Sequence, residues 1–93
     1  MYRVVLEESF TATGASATDI ALDGTFNFSA DFTTGTGVGT IELQRSFDNK
    51  QTWKSTDSVT ADDERIGEAV ENSVRWRLFA TITSGTILAR ISQ

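Results

Sequence analysis

Gly39 to Trp53 reads GTIELQRSFDNKQTW, and the rest of the chain is best read outward from it. From Thr40 to Ser46 the even positions are polar (Thr40, Glu42, Gln44, Ser46), and Ile41 and Leu43 alternate against them. Successive strand side chains point to opposite faces, so a period of two marks a strand with one buried and one solvated face. Asp48-Asn49-Lys50-Gln51 then supplies residues that hydrogen-bond their own backbone or tolerate a left-handed conformation. Trp53 follows as a large apolar anchor. The stretch is a strand, a tight polar turn and the start of a return strand.

Toward the C-terminus, Ser73 to Thr83 (SVRWRLFATIT) has the strongest alternation in the chain. Val74, Trp76, Leu78, Ala80 and Ile82 form an inward face; Arg75, Arg77, Phe79, Thr81 and Thr83 point outward. Ser84-Gly85 reads as a two-residue hairpin turn. Thr86 to Ser92 returns with Ile87, Ala89 and Ile91 inward and Leu88 and Arg90 outward. Between the two hairpins, Lys54 to Thr60 suits a short edge strand, where Lys and Asp discourage pairing with another sheet. Ala61 to Asn72 (ADDERIGEAVEN) holds five of the thirteen acids. Gly67 interrupts its few apolar residues, which favours a single turn or short strand over a helix. Its acids lack the spacing of a calcium-binding loop, so no metal site is assigned.

Toward the N-terminus, Thr25 to Phe32 places Phe26, Phe28, Ala30 and Phe32 on one side and Thr25, Asn27, Ser29 and Asp31 on the other. Thr33 to Gly39 is a Gly/Thr loop without the strand-then-helix context of a phosphate cradle. Ile20 and Leu22 alternate with Ala21 and Asp23, Phe10 to Ala17 reads as a strand end or loop, and Tyr2 to Leu6 as a first strand. About seven strands separated by Gly or Asx turns imply an all-β chain. The expected fold is one antiparallel β-sandwich spanning residues 1–93, immunoglobulin-like, with a small jelly roll or open barrel as the alternative.

Composition narrows the function. The 93 residues contain no His and no Cys. The commonest general base, the commonest metal ligand, thiolate sites and Ser-His or Cys-His pairs are therefore absent, and no cofactor motif appears. The formal charge of −5 argues against nucleic acid as a partner. No apolar run is long enough for a membrane helix, and the N-terminus lacks the apolar region of a signal peptide. The expectation is a non-enzymatic protein with no cofactor and no metal.

Two places could contact a partner. Arg75 and Arg77, with Arg90 across the expected hairpin, would line one outer face with Phe79 and Leu88 between them. The first reading is a solvated face whose arginines pair with Glu42 or other acids of neighbouring strands. The alternative is a contact face, since Arg and exposed aromatics are enriched at interface hot spots. Trp53 and Trp76 could form a sugar-stacking platform, but Trp76 points inward by pattern.

The turn resembles an Asp box, the S-x-D-x-G-x-T-W hairpin of sialidase-type propellers. Ser46, Asp48, Thr52 and Trp53 match it in register, and Lys50 stands where that family has Gly. The resemblance implies a structural hairpin in which the Asp caps turn amides and the aromatic packs beneath. More broadly, Gly39 to Trp53, Val74 to Arg77 and Thr83 to Gln93 together resemble small β-rich proteins encoded among virion structural genes of tailed bacteriophages. That resemblance implies a virion component made in the host bacterial cytoplasm, foremost a capsid decoration or cement protein. Its expected partner is the major capsid protein or another virion protein, with a trimer or dimer as a possible assembly. A host-surface or glycan-binding module, or a tail or head-fibre accessory domain, is the alternative.

Overall fold

The computed structural model describes residues 4–22, 24–69 and 74–93. Nine strands are seen among these residues: β1 (Val4–Phe10), β2 (Gly14–Ala15), β3 (Ile20–Ala21), β4 (Gly24–Asp31), β5 (Val38–Ser46), β6 (Lys54–Val59), β7 (Asp63–Ala69), β8 (Arg75–Ser84) and β9 (Ile87–Ser92). The expected strand residues Tyr2, Arg3, Asp23 and Ser73, and the end of the acidic segment at 70–72, lie outside the described residues.

The strands form two antiparallel sheets, β1-β9-β4-β7 and β2-β8-β5-β6, with β3 also on β8. The expected antiparallel sandwich is the architecture found. Its strand order follows the jelly-roll alternative, not the immunoglobulin one, in which the first two strands share a sheet. The pairing is nested. β5 pairs with β6, β4 with β7, β2 and β3 with β8, and β1 with β9. The whole chain is thus one long hairpin whose tip is the turn between Ser46 and Lys54. Successive rungs fall alternately in the two sheets, and the β4–β9 and β5–β8 ladders complete each sheet.

Apolar burial holds the two sheets together. Phe26 and Phe28 of β4, Ile87, Ala89 and Ile91 of β9, and Trp76, Leu78 and Ala80 of β8 all turn inward as their alternation requires. With Ile41 and Leu43 of β5 they belong to a continuous cluster. Each large side chain buried in it contributes roughly 1.5–3 kcal/mol of transfer free energy. Ile82, expected on that face, is only half-buried near the end of β8.

Ser84-Gly85 is not a hairpin turn, because β8 and β9 lie in different sheets. Gly85 has φ 71°, and the chain turns a corner there; Thr86 donates its N–H to the Gly35 carbonyl at 3.1 Å. Period-two burial on both sides is the same for a hairpin and for a corner between sheets, so the pattern alone did not separate them. The acidic segment forms β7, an edge strand opposite β4, which agrees with a short strand and not a helix. Asp62 just before it accepts N–H bonds from Phe32 (2.7 Å) and Thr33 (3.1 Å) and the Thr33 hydroxyl (2.6 Å). Those bonds, the Thr33 hydroxyl first, lower its pKa, and they tie the β6–β7 loop to the β4–β5 loop.

Candidate functional site

The hairpin tip is built from its own polar side chains. The buried Ser46 hydroxyl donates to Asp48 Oδ1 at 2.8 Å and accepts the Lys50 N–H at 2.9 Å. Asp48 Oδ1 also accepts the Thr52 N–H at 2.8 Å. Those donors, the Thr52 amide first and then Ser46, lower the Asp48 pKa from 3.8 to about 2. A carboxylate whose folded pKa is depressed stabilises the fold above its unfolded pKa and loses that contribution as pH falls through the folded value. Unfolding free energy measured from about pH 5 to pH 2 therefore falls in the wild type, and Asp48→Asn flattens part of that slope between 3.8 and about 2.

Asn49 (φ 60°) and Lys50 (φ 73°) occupy the left-handed region, which disfavours side chains with a Cβ. Lys50→Gly is expected to stabilise by about 0.5–1 kcal/mol in denaturant unfolding. The exposed Lys50–Asp19 ion pair at 3.8 Å offsets little of this. Lys50→Ala deletes the same pair while keeping the strain, so it should not stabilise; equal gains for both variants would refute the backbone account.

Beside the tip, the outer face of β5 and β8 holds an arginine between aromatic rings. Gln44 lies opposite Arg77 in the ladder and Glu42 opposite Phe79. The Arg77 guanidinium carbon is 4.3 Å from the Trp53 ring centroid and 5.7 Å from that of Phe79. Arg77 Nε donates to Gln44 Oε1 at 2.8 Å. Burial between the rings lowers the Arg77 pKa, opposed by the charge of Asp19, and the group remains a cation. The cluster is a half-buried cation with its planar face occupied and its orientation set by one amide. Trp53 is half-buried outside the core cluster, with Arg77 stacked on its ring.

The five residues expected on one contact face are divided by the core. Arg75, Arg77 and Phe79 lie outward on β8; Leu88 and Arg90 lie outward on β9, in the other sheet. Arg75 is held by Asp19, with Nη2–Oδ1 at 2.6 Å and a further bond to the Asp19 carbonyl at 2.8 Å. Arg90 pairs with Glu7 at 3.6 Å. For these two, the reading of charges paired with neighbouring acids holds. Arg77 is the member that meets aromatic rings.

Sequence reasoning left Arg45 and Phe47 out. Arg45 is one residue off the alternation of its strand's outer face, so it projects toward the sandwich interior at the mouth. Its guanidinium lies 4.8 Å from the Phe47 centroid and 5.7 Å from that of Trp76. Phe47 is 57% exposed. An Arg-x-Phe step leading into a turn was the available signal.

No protein-family model matches the chain, and no curated protein does. Among solved structures, the crystal structure of Yersinia pseudotuberculosis-derived mitogen (YPM) matches with a TM-score of 0.61. The match covers 100% of this chain and 86% of that one, at 13% sequence identity. The likeness is one of fold.

Proposed function

We propose that this chain is a non-enzymatic structural protein of a tailed-phage particle, a decoration or cement protein that binds the assembled head. The observation that carries a binding role is the Arg77 cluster. A guanidinium held against Trp53 and Phe79 and oriented by Gln44 has the composition of an interface hot spot and loses little entropy on contact. The three stretches that resemble phage virion proteins include Trp53, Gln44 and Arg77 themselves, which supports the particle as the partner. Hydrogen bonds lower the pKa values of Asp31, Asp48, Asp62 and Asp63, which is the wrong direction for these four to act as general acids.

A protein that binds only the assembled lattice stabilises it by mass action. The test is co-sedimentation with expanded, undecorated heads of the phage that encodes it, with copy number per head counted by quantitative mass spectrometry. Saturable binding at a fixed, high copy number is expected, weakened about tenfold or more by Arg77→Ala, as for a hot-spot residue. Low copy number in the virion would indicate a tail or head-fibre component instead. A second reading, glycan binding, is favoured by the polar groove of about 550 Å³ on the other sheet, lined by Ser29, Asp31, Glu64, Leu88 and Arg90. Binding to host cells or a glycan array without head binding would replace the first reading with this one.

A further inference from the structure

The edges of the two sheets formed by β6 and β7 leave a cleft of about 190 Å³ between them. Its floor is Phe26, Phe28, Leu43 and Trp76, and Arg45, Asp57, Arg65 and Glu68 stand on its walls. Two donors there are unspent. Trp76 is 3% exposed, and its indole Nε1–H has no acceptor among the described residues. A buried donor without a partner is rare and costly. Beside it, Arg45 stacks on Phe47 and Trp76 and forms neither a hydrogen bond nor an ion pair among the described residues. That is notable in a chain of thirteen acids and eight bases.

Arg65 pairs with Asp57 at 3.0 Å and with Asp63 at 2.8 Å, and Glu68 is exposed with its carboxylate in solvent. The unspent groups that touch the aromatic floor are a neutral N–H and a cation, both donors. The complement is an acceptor-only anion with an apolar body. We propose that this cleft binds a small organic carboxylate, with one oxygen on Trp76 Nε1 and its charge on Arg45. A cleft of about 190 Å³ suits a ligand of a single ring or a short chain. Nε1 is closed off from solvent, so binding requires the side chains over it to move aside. Arg45, which packs on the ring, is held by stacking alone.

Benzoate is the probe, with benzamide as its neutral isostere. The chain has two tryptophans, so its ¹H–¹⁵N spectrum carries two indole N–H signals, and Trp53→Phe identifies that of Trp76. Benzoate is expected to shift the Trp76 signal saturably downfield, with benzamide at least about tenfold weaker, the usual difference for a charge-assisted bond. Arg45→Met should weaken benzoate about tenfold without changing benzamide, and Arg45→Lys should retain part of the difference. An unmoved Trp76 signal, equal affinity for the two probes, or full benzoate affinity in Arg45→Met would each overturn the proposal. So would a persistent cross-peak from Nε1–H to one bound water, which would show the donor already satisfied.

Discussion

Trp76→Ala should lower the unfolding free energy by about 3–5 kcal/mol, read from the midpoint and slope of a urea transition. Trp76 sits one pair from the end of the β5–β8 ladder, opposite Arg45, and meets the Phe26 ring edge-on, with centroids 5.1 Å apart and planes at 62°. It is one of the residues through which the two sheets touch, since Phe26 belongs to β4 of the opposite sheet. Truncation removes the transfer free energy of the indole, its edge contact and the stacking of Arg45, and leaves a cavity walled by rigid strands. A loss of that size is much of the stability of an ordinary domain of this length. Trp76→Phe is the informative companion. It deletes the unpartnered Nε1–H together with part of the ring, so relief of the buried donor offsets some of the lost area. If Trp76→Phe costs as much as Trp76→Ala, the donor is satisfied in solution and the account of the cleft fails with it.

Gly67→Ala should destabilise by about 1–3 kcal/mol, as overpacking of a filled core does. Gly67 lies opposite Phe26 in the β4–β7 ladder, and an added Cβ would stand 2.5 Å from Phe26 Cζ and 2.9 Å from Cε2. In an open strand the same change would help slightly, because Gly loses more backbone freedom on folding than Ala. The sign therefore depends on whether the Phe26 ring can move. It is 2% exposed and meets Trp76 edge-on, so it can yield only toward the cleft that it shares with Gly67. The pair Gly67→Ala with Phe26→Leu should show a favourable coupling energy in a double-mutant cycle, because the shorter side chain vacates the space. A stabilised single variant would show that the ring yields.

These two residues also show how far a sequence reaches. Trp76 was legible: it stands in the strongest period-two run, and such a run can bury only one of its faces. Gly67 was legible only as an interruption of apolar residues. Its role depends on a phenylalanine forty-one positions away, which alternation within β7 cannot reveal. Asp48 was legible because its partners, Ser46 and Thr52, are local and set by turn geometry. Asp62 was not, because its partners are the amides of Phe32 and Thr33 in another loop. The arginines divide the same way. Their outward facing followed from alternation, whereas the choice between a ring, a carboxylate and an amide depended on which strand came alongside.

By itself the sequence determined the long strands β4, β5, β8 and β9, the buried side of each, the hairpin at the centre of the chain and the polar network that caps it. Those depend on side-chain periodicity and contacts a few residues long. Only the tertiary structure decided that β8 and β9 part into different sheets, which sends Leu88 and Arg90 to the side of the molecule opposite Arg77. The physical reason is that alternation specifies a face for each strand and leaves its neighbour open. Nesting each rung around the Ser46–Lys54 tip closes two sheets over one apolar core, and a Ser84–Gly85 hairpin would have kept both strands in one sheet.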